Sequence, residues 1–447
     1  MERYTTCTPP DGGFLFHRRR SAAGWWAARG QIVSARGCCW RQGSYLAPRR
    51  LKMKFRLLFV LLAAFLVVPV VGAQEANLTA ACVESFDPGV DYFPDKVTVE
   101  YAQGFSVEYF NHYKLVTVLL PWQGADAPLQ YLLVQCGTPV PDGYGETPVI
   151  EVPSAQFVSM STSFLPHIVS QGLLDRLVAI DTPLYTSSPE VLAAFEAGDI
   201  TEIGGGGSGT APNVEALVDL EPDLVLTQRF SADDTNLPVL EQAGLPVVVN
   251  ADFLDTSPLG QAEWGKFIAL FFNTEALAEE TFAGVESRYQ ELAALTAGAA
   301  DKPTVLATTP FGDTWFLPGG RSYLAQLLAD AGAAYLWADD ESTGSLFLDF
   351  ETVFDRAAGA DFWVNTFQTT LDDLLAADER FAEFAAVQKG NVYTNNARQS
   401  AGGGSDYYEA GQANPDIILA DLIRIFHPDL LPDHELYFYK QLVPAGG

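Results

Sequence analysis

Apolar and polar residues alternate with period two between Val97 and Gln135, in "VTVEYAQGFSVEYF", "YKLVTVLL" and "LQYLLVQC". The alternation breaks at Gln103-Gly104, at Asn111-His112 and through "PWQGADAP". Successive side chains of a strand face opposite ways, so this pattern predicts a small antiparallel β segment with hairpin turns. "GTPVPDGYGETP" then reads as a loop. From Val149 the pattern changes to short apolar runs separated by amphipathic stretches. "QFVSMST", "LVAID", "DLVLTQ" and "LPVVVN" read as buried strands. "SFLPHIVSQGLLDRL" (broken at Gly172), "NVEALVDL" and residues 235–244 read as the helices between them. Buried strands linked by helical crossovers predict the α/β class, with a mostly parallel sheet.

Ser257-Pro258, an N-cap followed by proline at the first helical position, opens the helix "LGQAEWGKFIALFF". Asn273 punctuates the chain. Ala276 to Leu295 then continues as a second helix about 30 Å long. A helix of that length between two α/β regions predicts a strut joining two lobes. Beyond it the theme restarts. "PTVLATT", "DFWVNT" and "NVYTNN" read as strands, and "GGRSYLAQLLADAGA", "FETVFDRAAGA", "FAEFAAVQKG" and "ANPDIILADLIRIFHPDLL" as helices. The two regions share a weak repeat. "NVEALVDLEPDLVL" and "DFETVFDRAAGADFWV" each put a glutamate on the first turn of a helix (Glu215, Glu351). Each then puts an aspartate before an apolar strand (Asp223, Asp361). Two copies of one supersecondary unit imply two similar lobes.

Charge divides the chain differently. Residues 1–73 carry 12 of the 26 Lys/Arg and 2 of the 56 acids, which leaves 14 basic against 54 acidic residues from Gln74 onward. That balance excludes a nucleic-acid binder and suits a soluble, monomeric exported protein. Lys52, Lys54 and Arg56 precede the apolar run Leu57–Val71, and Gly72-Ala73 follows. This order is that of a signal peptide, expected over residues 53–73. Residues 1–52 hold no fold pattern and are expected to be a non-native or disordered leader. Cys82 and Cys136 remain in the mature chain, and an even pair in an exported chain predicts a disulfide. "TAAC" before Cys82 offers the alternative of a lipid anchor. Asn77-Leu78-Thr79 fits a glycosylation sequon.

Taken together, "FVSMSTSFLPHIVSQGLLDRLVAID", "NVEALVDLEPDLVLTQ", "PGGRSYLAQLLADAGA", "FETVFDRAAGADFWVN" and "NVYTNN" resemble substrate-binding proteins of ABC importers. The class is the one that carries ferric siderophores, haem and cobalamin. The segment "VDYFPDKVTVEYAQGFSVEYFNHYKLVTVLLPW" looks like the N-terminal extension of an iron-siderophore subgroup. The resemblance covers roughly residues 155–430. It implies two Rossmann-like α/β lobes with mostly parallel sheets, joined by one long α-helix and preceded by a small β segment. On this basis the extension is expected over 74–148, the first lobe over 149–273, the linker helix over 274–298 and the second lobe over 299–447.

The resemblance also implies roles for residues. Glu215 and Glu351 stand where the family's two acids, one on each lobe, dock onto arginines of the membrane permease. The ligand is expected at the carboxyl ends of the strands. In the first lobe the candidates are Ser161, Thr162, Phe164, Tyr185, Arg229 and Phe230. In the second they are Phe311, Trp315, Arg321, Phe367, Asn396, Arg398, Tyr407 and Tyr408. Arginine suits chelate oxygens as a permanent forked donor, and aromatic rings give rigid contact area. Histidines at 112, 167, 427 and 434 are far apart, so no direct metal site and no cofactor are expected. Any iron is expected to arrive already chelated. The expected function is capture of a ferric siderophore for an ABC permease, with cobalamin or haem as alternative ligands. An exported α/β enzyme is the competing class, but no G-x-S-x-G elbow occurs. "GGGGSG" lacks the ending of a phosphate loop and reads as a mobile loop before Glu215, and "GGGSDYY" as a flexible rim.

Overall fold

A computed structural model describes residues 75–206 and 210–446. The residues expected to form a leader and a signal peptide, and part of the "GGGGSG" run, lie outside the described residues. Among the described residues, no helix is long and apolar enough to cross a membrane.

The extension forms a four-stranded sheet of β1 (Phe105–Tyr109), β2 (Tyr113–Val118), β3 (Leu129–Gln135) and β4 (Val149–Val152), in that order. The first two pairings are antiparallel, and β4 joins β3 in parallel. The pattern change at Val149 therefore marks the last strand of this sheet rather than the first strand of a lobe. The alternation over "VTVEY" makes no strand either. The N–H groups of Glu100, Tyr101 and Ala102 donate instead to the buried Glu263 carboxylate, at 2.7–3.1 Å. An extended backbone with its donors taken by a side chain has none left for a ladder. Cys82 and Cys136 form a disulfide across the start of this region, which leaves no Cys82 thiol for a lipid. Asn77 is buried and donates to Asp95 O and Glu275 Oε2, so the sequon is closed to a glycan.

The first α/β lobe holds β5 (Phe157–Ser159), β6 (Leu177–Ile180), β7 (Thr201–Glu202), β8 (Leu224–Thr227) and β9 (Val247–Val249). All pair in parallel, in the order β7-β6-β5-β8-β9. The chain winds outward in both directions from β5 and β8, so the point where the order reverses lies between them. The second lobe centres on β10 (Thr304–Ala307), flanked in parallel by β12 (Ala334–Tyr335) and β14 (Phe362–Val364). An antiparallel pair, β11 (Trp315–Pro318) with β13 (Ser345–Leu348), stands beside it. A second, β15 (Tyr393–Thr394) with β16 (Lys440–Gln441), ties down the C-terminal tail.

Helix Glu275–Thr296 runs between the lobes, 22 residues and hence about 33 Å long. Ala278, Phe282, Val285 and Tyr289 bury one face of it at helical spacing. Helix Pro258–Ala269 is buried along its whole length. The extension shares its core with the first lobe: Phe93, Phe105 and Val116 cluster with Trp264, Phe267 and Phe271. It is therefore a built-in part of that lobe's core.

The repeat read from sequence is a structural repeat. Asn213 caps helix Val214–Leu220 through Ala216 N, and Asp349 caps helix Phe350–Ala357 through Thr352 N. Glu215 and Glu351 both occupy the second helical position, where a carboxylate favours the helix dipole. Asp223 accepts from Ala155 N and Gln156 N at the entry to β5. Asp361 does the same for Thr304 N and Oγ1 at the entry to β10. In each lobe the aspartate thus ties the second strand of the unit to the first.

Candidate functional site

The carboxyl ends of both parallel sheets face a cleft that holds two adjoining cavities. The smaller, about 350 Å³, is lined by Ser161, Thr162 and Ser163 after β5, Asp181 and Tyr185 after β6, Gln228 and Phe230 after β8, and Phe253 after β9. Tyr408 and Gln412 close it from the second lobe. The larger, about 610 Å³, shares Phe253, Tyr408 and Gln412 and continues past Thr308, Phe316, Tyr323, Asn365, Phe367 and Tyr407. Leu120 and Gln123, from the loop between β2 and β3, complete its wall.

A polar network forms the floor at the switch point. Ser161 Oγ donates to Gln228 Oε1 at 3.1 Å. Gln228 Nε2 donates to Asp252 Oδ1 at 2.7 Å, and Ser163 Oγ to Asp252 Oδ2 at 2.8 Å. Burial pushes the Asp252 carboxyl up to about 6, against the lowering effect of these hydrogen bonds. The network joins β5, β8 and β9 at their ends and fixes the side chains that face the cavity. Above it, the Phe230 and Phe253 rings lie 4.9 Å apart. Tyr439, in the C-terminal tail, donates to Asn365 Oδ1 at 2.7 Å and holds that amide at the back of the larger cavity.

Two residues that line the cleft each carry a buried polar atom with no partner among the described residues: Gln412, at Oε1, and Tyr323, at its hydroxyl. Buried polar atoms are nearly always satisfied, so both are candidates to meet a ligand.

Of the sequence candidates, Ser161, Thr162, Tyr185, Phe230, Phe367, Tyr407 and Tyr408 line the cleft. Seven do not. Phe164 is fully buried in the first lobe's core. Trp315 is fully buried in the second, where its ring meets Trp363 and its Nε1 donates to Ala307 O. Both packing sites are apolar, and the rings fill them. Phe311 is 79% exposed on the turn that Phe311 and Thr314 close, and Asn396 is buried outside both cavities.

The three arginines are held elsewhere by other partners. The Arg229 guanidinium lies 3.8 Å from the Trp122 ring centre and donates to Ser231 O and Ala232 O. Arg321 pairs with Glu341, with its side chain 63% exposed. Arg398 pairs with Asp406 at 2.8 Å and stacks on Tyr437, at the seam between the lobes.

At that seam the "AGGGS" run is a close contact rather than a free rim. Gly402 N donates to Leu184 O at 2.8 Å, and a Cβ at Gly402 would collide with Leu184. Beside it, Glu409 of the second lobe accepts from Ser187 N and Ser188 N of the first, at 2.7 and 2.8 Å. Burial pushes the Glu409 carboxyl up to about 7.

The sequence reading passed over Ser163, Gln228, Asp252, Phe253, Tyr323, Phe316 and Gln412. The strand-end rule would have found Asp252 and Phe253, which follow "LPVVVN". Nothing in the sequence marks Gln412, which sits in a short helix, Ala410–Ala413.

A sequence-family description, periplasmic binding protein, matches residues 160–398, more than half of the chain. The chain belongs to the periplasmic binding protein family. The match begins at the end of β5 and ends at the seam, so it spans both walls of the cleft. The binding protein is 26% identical over 237 residues to an uncharacterized lipoprotein of Methanocaldococcus jannaschii, covering 52% of this chain and 55% of that relative. The chain thus spans about half of that relative's length. A second uncharacterized lipoprotein of the same organism is 26% identical over 326 residues, covering 70% of this chain and 80% of its own. Among solved structures, a periplasmic heme binding protein from Pseudomonas aeruginosa aligns with a TM-score of 0.49 at 18% identity, covering 66% of this chain and 100% of its own. A possible iron-binding periplasmic solute-binding protein from Staphylococcus epidermidis aligns at 0.49 and 17%, covering 62% and 99%.

Proposed function

We propose that this binding protein captures a ferric siderophore in the cleft, outside the cell membrane, and delivers it to an ABC permease. The observation that carries the reading is the cleft itself. It opens at the carboxyl ends of two parallel sheets and is lined mainly by aromatic rings, hydroxyls and amides, with the carboxylates of Asp181 and Asp255. Such a lining suits a ligand that arrives as a finished chelate, wrapped in its own donor atoms. Among the described residues, the one cluster of potential metal-ligand atoms is Cys82, Cys136 and Glu151, and both sulfurs there are spent in the disulfide. Titration of the eight-tryptophan chain with ferric siderophores, haem and cobalamin, read by fluorescence quenching and native mass spectrometry, tests the reading. Saturable binding of a ferric siderophore is expected. Saturable binding of haem or cobalamin instead would reassign the ligand, and no affinity for any of the three would refute it.

Delivery rests on Glu215 and Glu351. Both are exposed, and they occupy the same position in the two copies of the repeat. The Glu351 side chain is 80% exposed and has Arg380 Nη1 3.6 Å away. Two separated carboxylates can take two guanidinium groups of a membrane partner and set its register. Replacing both with alanine is expected to leave ligand affinity within about twofold and to abolish uptake. Weakened binding in the double variant would count against the docking role.

A further inference from the structure

The cleft carries a charge signature that narrows its ligand. Among the described residues, no lysine, arginine or histidine side chain lines either cavity. The three arginines that the sequence put forward are committed elsewhere: Arg229 to the Trp122 ring and two carbonyls, Arg321 to Glu341 and Arg398 to Asp406. The acids are closer. Asp181 lines the smaller cavity, and Asp252 lies beneath its floor. Gln412, whose side chain borders both cavities, is uncharged. An anion moved from water into such a site loses its hydration and meets no counter-charge.

We propose that the cleft selects a chelate with no net negative charge, uncharged or cationic. This rests on the reading of the protein as a chelate binder. It goes beyond that reading by turning away anionic tris-catecholates and carboxylate-rich chelates. Aromatic walls of Phe230, Phe253, Phe316 and Phe367 would then hold the flat faces of the ligand while the amide floor orients it.

The test keeps one iron core and changes only its charge. A linear ferric tris-hydroxamate with a free ammonium tail is compared with its N-acetylated and N-succinylated forms, which are cationic, neutral and anionic. In parallel, pyrene-methylammonium, pyrene-methanol and pyrene-sulfonate are titrated by tryptophan quenching. Within each series the anionic member is expected to bind about tenfold or more weakly than the cationic one, a difference of about 1.4 kcal/mol. Gln412→Lys places a cation between the two cavities and is expected to reverse that order. If no chelate binds but the pyrene series keeps its order, the chelate reading fails and the charge selectivity stands. Anionic members that bind as tightly as cationic ones, or no charge-ordered binding in either series, would overturn the inference.

Discussion

Lys114 is a lysine on the buried face of β2 with no exposed surface. Its ammonium uses all three donors: to Glu275 Oε1 at 2.6 Å, to Leu270 O at 2.6 Å and to Asn273 Oδ1 at 2.9 Å. The other oxygen of Glu275 accepts from Asn77 Nδ2 at 2.8 Å. One buried pair thus joins the N-terminal segment, the extension sheet, the end of helix Pro258–Ala269 and the first turn of the strut. Lys114→Met keeps the length and apolar bulk of the stem but strands the carboxylate. Breaking one side of a buried pair costs about 3–5 kcal/mol, and that is the expected loss near neutral pH. Lys114→Met with Glu275→Gln removes both charges and should recover all but about 1–2 kcal/mol, because the remaining amide can still pair. Urea unfolding of the wild type, both single variants and the double variant, compared at matched slopes, gives the coupling directly. A single-variant loss below about 1 kcal/mol, or a double variant equal to the sum of the singles, would refute the account.

Phe253→Ala removes a ring shared by both cavities. It should weaken ligand affinity about tenfold, by equilibrium titration, while the melting temperature stays close to wild type. Arg321→Ala, by contrast, should leave affinity within about twofold, because its exposed pair with Glu341 lies outside the cleft. Glu409 gives the seam its own pH dependence. Its folded pKa is pushed up to about 7 from a reference of 4.5, so its contribution is fully present at acid pH and lost as pH rises through about 7. The wild type should therefore gain stability over Glu409→Gln on acidification across that window, by up to about 3 kcal/mol in urea titrations. A pH-independent difference would rule this out.

The α/β class, the strut and the repeat were legible because each rests on a long-range pattern. Strand-and-helix alternation sets the class, and the spacing of Ala278, Phe282, Val285 and Tyr289 sets one face of the strut. The repeat was legible down to the residue, since the glutamate and the strand-entry aspartate stand at matching places in both copies. The cleft was less so. Gln228 and Arg229 are neighbours at the end of β8, and period two sends one inward and the other out. Sequence favoured Arg229 because arginine is a permanent forked donor, but residue type carries no information about direction. Trp315 and Phe164 failed for a related reason. An aromatic at a strand end can fill the core as readily as a cleft, and the choice is made by neighbours distant in sequence. The false strand at "VTVEY" shows the same limit. Its alternation was real, but a glutamate more than 160 residues away holds its backbone donors.

The extension ties these observations together. Through Glu263 and Glu275 it is bonded to the two long helices behind the cleft. Through Leu120 and Gln123 it reaches the front and closes the wall of the larger cavity. Between these two residues lies Trp122, whose ring holds the Arg229 guanidinium. Arg229 is the second residue beyond β8, between Gln228 and Phe230, which line the smaller cavity. The loop that completes the wall is thus also the one that keeps this charge at the surface. Shape and charge of the cleft are set by the same few residues. The extension therefore walls the cleft together with the two lobes, although it adds no strand to either lobe's sheet.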